Sequence, residues 1–87
     1  MSAPIRIAVK GAAGRMGQRI AALILETPGA DFTGAIERSD SPHIGRPYLE
    51  LVPNCHDVVV SGSVTEGMKN ADVLIDFTVA ESTLGDL

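Results

Sequence analysis

The stretch Gly11-Ala12-Ala13-Gly14-Arg15-Met16-Gly17 has the residue types and spacing of a phosphate-binding turn. A glycine at position 11 permits a tight exit from a strand. One at position 14 lets the backbone approach an anion with no Cβ in the way. Gly17 lets the following helix lie close to a sheet. The spacing G-x-x-G-x-x-G differs by one residue from the G-x-G-x-x-G fingerprint, but the chemistry is the same. N–H groups at the start of a helix, and the positive end of its dipole, face a pyrophosphate. Glycine spacing alone also fits a strand-to-helix turn with no ligand. Glu37, twenty residues beyond Gly17, tips the balance. A carboxylate at the end of the next strand can accept hydrogen bonds from both ribose hydroxyls of an adenosine moiety. Turn and acid together imply a dinucleotide.

Other residues with chemical potential read more simply. Lys10 could lend a cation to the phosphate turn, but a lysine with a packed stem and a solvated head explains it as well. In Cys55-His56-Asp57, three adjacent residues rarely converge on one ion, and no second Cys or His is suitably spaced. His43 lies across a loop, so no metal site is expected. Asp72 and Asp76 fall at opposite ends of one strand, more than about 10 Å apart at ~3.3 Å per residue, too far for a catalytic pair. Asp76 is better suited to organising the turn that presents Phe77 and Thr78. Met16 and Met68 read as core filler. No catalytic residue is assigned.

The elements that must hold these groups are legible in the pattern. Ile5 to Val9 is a β-branched run of the kind found in a central parallel strand covered on both faces. From Arg15 the period becomes helical, with Met16, Ile20, Leu23, Ile24 and Thr27 on one stripe. Thr27-Pro28-Gly29 ends it. Asp31 to Glu37 reads as a second strand and Tyr48 to Leu51 as one helical turn. Val58 to Val60 is a third strand. Thr65 to Lys69 is a short helix capped by Thr65, and Ala71 to Phe77 a fourth strand. Thr78 opens another helix as the sequence ends. The alternation predicts an α/β fold. Right-handed crossovers make it a Rossmann-like, doubly wound parallel sheet of order 3-2-1-4. Residues 1–87 are expected to be the N-terminal part of a dinucleotide-binding domain, apparently truncated.

The chain has 87 residues, 45% of them hydrophobic and 21% charged, with a net charge of −4. That balance lacks the basic patch a nucleic-acid or anionic-membrane surface needs. A single cysteine excludes an internal disulfide framework. The N-terminus lacks a secretory pattern, and the aliphatic run Ile20 to Leu25 is too short to span a bilayer. A cytoplasmic location is expected.

Gly11-Ala12-Ala13-Gly14-Arg15-Met16-Gly17, Gly34-Ala35-Ile36-Glu37-Arg38 and Val73-Leu74-Ile75-Asp76-Phe77-Thr78, in this order, resemble bacterial 4-hydroxy-tetrahydrodipicolinate reductases over nearly the whole chain. The resemblance implies a reductase of the diaminopimelate route to lysine, using NADH or NADPH. It also implies a second, C-terminal domain for a small dicarboxylate substrate and for homotetramer assembly, absent from these residues. By position it sets Gly11, Ala12, Ala13, Gly14, Arg15 and Met16 against the cofactor pyrophosphate and Glu37 at the ribose. Arg38 falls by the adenine and any 2′-phosphate, and Phe77 and Thr78 near the nicotinamide half. The family's histidine-rich motif, lysine general acid and Ser-Gly-Thr loop have no counterpart here, so the 87 residues alone are expected to be inactive. Lys10 replaces a small or apolar residue, and Val79-Ala80 a common Arg-Pro, which leaves more of the cationic role to Arg38. Two alternatives remain open: a stand-alone nucleotide-binding or sensing module, and another amino-acid-type dehydrogenase that uses NAD or NADP.

Overall fold

The computed structural model describes residues 4–77. Its four strands are β1 (Ile5–Lys10), β2 (Ala30–Ile36), β3 (Val60–Ser61) and β4 (Val73–Asp76). They form one sheet of order β3-β2-β1-β4 in which every pairing is parallel. The expected doubly wound order is therefore present. β1 is central, and the chain passes to β2 on one side and returns to β4 on the other. The residues beyond the carboxyl end of β1 thus lie where the winding direction reverses, the place where such sheets take ligands.

Helix α1 (Arg15–Glu26) starts and stops as the sequence predicts, but its buried face differs. Gly17, Ala21 and Ile24 are buried, whereas Leu23 is 57% exposed and Met16 is exposed rather than filling the core. Small residues, Gly17 and Ala21, face the sheet beside Ile24 because they let the helix approach it. A Cβ on Gly17 would lie 2.2 Å from the Gly11 carbonyl oxygen and 2.8 Å from the Ala12 Cα. Glycine is thus required at position 17 by a backbone-to-backbone contact.

In the β1–β2 pairing, Ile7 partners Phe32 and Ala8 partners Gly34, so the register shifts and Thr33 is the extra residue. Such an insertion reverses which face later side chains point to. Phe32 and Ala35 accordingly share one core cluster with Val9, Ala12, Ala21 and Ile24. Ile36 instead meets Gly67, where a Cβ would fall 2.1 Å from the Ile36 Cγ1.

Three further elements differ from expectation. The third strand is only Val60–Ser61; Val59 forms an antiparallel bridge with Pro47 instead. Helix α2 spans Val64–Gly67 and is capped by Ser63, whose side chain accepts from the Glu66 N–H, rather than by Thr65. Ser63 is the residue whose backbone is still extended, the conformation a cap requires. The fourth strand is shorter than the apolar run and begins at Val73: at Asp72 the backbone N–H still donates to the Arg6 carbonyl, but the Arg6 N–H is taken by the Asp72 side-chain carboxylate at 3.1 Å. The turn expected at Tyr48 to Leu51 is a 3-10 turn over Tyr48–Glu50. The helix expected from Thr78 onward lies outside the described residues.

Candidate functional site

The glycine turn follows β1 directly. Gly11 adopts φ 83°, the left-handed region that favours glycine, and the chain reverses there to enter α1. Its N–H and that of Ala12 both donate to the Ile36 carbonyl, at 2.9 and 3.3 Å, which ties the turn to the end of β2. The Gly14 N–H donates to the Gly11 carbonyl at 3.1 Å. Gly14 is the N-cap of α1 at φ −73°, ψ 167°, a conformation open to any residue, and no side chain caps the helix. The first-turn N–H groups have no acceptor within the helix, as at any helix start. That of Arg15 has none among the described residues. The Arg15 N–H is thus left for an outside acceptor, with no Cβ at Gly14 to stand before it.

Glu37 immediately follows β2, as the sequence places it. Its carboxylate Oε2 accepts the Ala13 N–H at 2.8 Å, so the proposed ribose acid and the anion turn are in direct contact. Sequence reasoning joined them only by spacing. Arg38, next in line, is exposed and reaches Asp40 across 3.3 Å. An exposed pair of this kind is weak and leaves the guanidinium able to turn to another anion. Phe77 lies just past β4; its N–H donates to the Lys10 carbonyl at 2.9 Å, and its ring packs against the edge of the core. It therefore sits beside the carboxyl end of β1, on the side away from Glu37. Thr78 lies outside the described residues.

A residue the sequence did not single out completes the site. Tyr48, on the 3-10 turn, is fully buried, stacks on Phe32 with ring centroids 5.1 Å apart, and donates its phenol to the Ala12 carbonyl at 2.6 Å. Burial raises the Tyr48 pKa, with smaller contributions from Cys55 and Glu37, so the phenol stays a donor. Its one sequence signal is that it is a lone tyrosine in a chain with 3% aromatic residues. Buried Cys55 packs in the same cluster, and burial pushes its thiol up to about 11. Among the described residues no group of three or more His, Cys, Asp or Glu could hold a metal ion, and no helix is long and apolar enough to cross a membrane. Asp72 is occupied by an ion pair with Arg6 at 3.0 Å.

Residues 5–87 match the family model described as dihydrodipicolinate reductase, N-terminus. The chain belongs to this family. Its parallel α/β sheet is that of the family's N-terminal, dinucleotide-binding domain. A 4-hydroxy-tetrahydrodipicolinate reductase of Syntrophotalea carbinolica is 46% identical over 85 residues, which cover 95% of this chain and 32% of that protein. Enzymes of the same name from Ralstonia nicotianae and Geotalea uraniireducens are 39% identical over 83 residues and 43% over 84, with the same coverage. The chain thus spans about a third of the length of the curated relatives it matches.

Proposed function

We propose that residues 1–87 form the N-terminal part of the NADH- or NADPH-binding domain of a reductase that converts 4-hydroxy-tetrahydrodipicolinate to tetrahydrodipicolinate, in the diaminopimelate route to lysine. The observation that carries this reading is the contact of Glu37 with the turn. A ribose-binding carboxylate lies one hydrogen bond from a glycine turn whose helix end has no side-chain cap. Gly11, Ala12, Ala13, Gly14, Arg15 and Met16 hold the pyrophosphate, Glu37 accepts from the ribose, and Arg38 covers the adenine or meets a 2′-phosphate. Phe77 and Thr78 flank the nicotinamide half. The bound cofactor supplies the hydride.

This chain's own residues bind and orient. None is assigned the proton-donating role, and hydride transfer needs donor and acceptor held within about 3–3.5 Å by groups on both sides. On this reading the enzyme is cytoplasmic, and a C-terminal domain outside these residues binds the small dicarboxylate and assembles the homotetramer. By themselves the 87 residues bind dinucleotide weakly and reduce nothing. An NADH titration followed by amide NMR tests this: perturbations should centre on residues 11–17 and 37–38. Perturbations centred on β3 and α2, or reduction of the substrate by the chain alone, would overturn it.

A further inference from the structure

The Ala12 carbonyl and the Ala13 N–H belong to one peptide group, and the structure holds both of its ends. Tyr48 Oη donates to the carbonyl at 2.6 Å, and Glu37 Oε2 accepts the N–H at 2.8 Å. Two orientations of this peptide plane are related by rotation of ψ at Ala12 and φ at Ala13, and only the observed one makes both bonds. In the one observed, the carbonyl oxygen points to the core and the N–H toward Glu37. In the reverse one the carbonyl oxygen would face the Glu37 carboxylate, which repels it. Resting on the dinucleotide reading above, we propose that Tyr48 is a positioning residue for cofactor binding: its phenol fixes the orientation of the Ala12–Ala13 peptide, and with it the shape of the turn that meets the pyrophosphate.

Tyr48 is itself held firmly enough for this task. Its N–H donates to the Val58 carbonyl at 2.8 Å, and the Val60 N–H donates to the Arg46 carbonyl at 3.0 Å. Residues 45–48 are thereby paired antiparallel with 58–60, a small ribbon outside the main sheet. Arg46 and Glu50 bridge the 3-10 turn at 2.9 Å. The ring is sandwiched into the core against Phe32. The crossover between β2 and β3 therefore does more than connect strands; it delivers one hydroxyl to the ligand turn.

Tyr48→Phe keeps the ring and removes the donor. If the oriented turn is then only fractionally populated, apparent affinity falls by that fraction. Loss of one buried neutral hydrogen bond corresponds to about three- to tenfold. Dissociation constants of NADH, NADPH and ADP-ribose should all rise by a common factor in that range. The NADH-to-NADPH ratio should stay fixed, and exchange of the Ala13 amide should quicken. A purely structural role would lower the melting temperature and leave the dissociation constants of the folded protein unchanged, which would overturn the proposal. Because the chain has a single tyrosine, 3-fluorotyrosine labels position 48 alone without depending on the variant's folding. Its 19F resonance should move as NADH saturates the site, and an unmoved resonance at saturation would contradict the role. If the unaltered chain took up neither NADH nor ADP-ribose, the dinucleotide reading would fall and the Tyr48 role with it. If the unaltered chain binds and Tyr48→Phe binds equally well, only the Tyr48 role falls.

Discussion

Gly17→Ala adds one methyl group where α1 crosses the glycine turn. The new carbon would lie 2.2 Å from the Gly11 oxygen and 2.9 Å from its carbonyl carbon. A carbon and a carbonyl oxygen in ordinary contact stand about 3.3–3.6 Å apart. Helix and turn must therefore separate by about 1 Å, and no side-chain rotation can relieve it, because the neighbours are backbone. Overpacking of this kind costs about 1–3 kcal/mol, and the rigid neighbours favour the upper half of that range. Alanine returns up to about 1 kcal/mol through helix propensity. The steric term wins, for a net loss of about 1–2 kcal/mol, or a melting temperature lower by about 5–15 °C in a domain this small. Because the displaced segment is the proposed ligand turn, NADH affinity should fall by about tenfold or more in the protein that remains folded. Gly34→Ala is the control: its Cβ would meet the Gly67 carbonyl oxygen, 2.1 Å away, on the far side of β2. It should destabilise comparably and leave affinity intact. Thermal melts and NADH titrations of both variants decide it. A Gly17→Ala protein with unaltered melting and affinity would refute the packing argument.

Gly14→Val should leave far-UV circular dichroism largely unchanged, since φ −73° suits any residue, yet remove NADH binding by filling the approach to the helix end; unchanged affinity would mean the anion sits elsewhere. The Cys55 thiol, raised by burial to about 11 from an ordinary 9.0, binds its proton more tightly in the folded state. Its stabilisation is complete below about pH 9 and lost as pH rises toward 11. Thiol reagents should leave Cys55 unmodified at neutral pH, and Cys55→Ala should flatten the alkaline limb of a melting-temperature profile. The Asp72 carboxyl is held below the usual carboxylate range, chiefly by its hydrogen bond from the Arg6 side chain. Its contribution is present above about pH 4 and lost as pH falls through the depressed value. Asp72→Asn should therefore flatten the acid limb, and an unchanged limb would remove the pair from the account.

Regular elements were legible because periodicity reports them. The limits of α1, the strand order and the place of the turn followed from apolar spacing and from Thr27-Pro28-Gly29. The face of α1 was misread, because an apolar stripe weights Leu23 and Met16 by size, whereas close helix approach selects Gly17 and Ala21. The Tyr48–Ala12 bond was invisible for another reason. It spans 36 positions and reaches into an irregular crossover with no period to read, one that turns through left-handed Asn54 and Asp57 and closes on an antiparallel bridge. Glu37 was legible as an acid at the right distance, but its grip on the Ala13 N–H depends on how closely the end of β2 approaches the turn.

Four dissociation constants test the proposed roles of Glu37 and Arg38 most directly: NADH and NADPH with Glu37→Ala and with Arg38→Ala, each compared with the unaltered chain at one fixed salt concentration. On the proposed roles, Glu37 accepts from the ribose hydroxyls and repels a 2′-phosphate while Arg38 attracts it, so the unaltered chain should bind both cofactors with a modest preference for NADH. Removing one charged hydrogen-bonding partner costs about 1.5–3 kcal/mol, or about ten- to a hundredfold. Glu37→Ala should weaken NADH more than NADPH, with some loss to both because the Ala13 contact goes too. Arg38→Ala should weaken NADPH more than NADH. Crossed losses of that kind are the predicted result; equal losses for both cofactors in both variants would contradict the assignment.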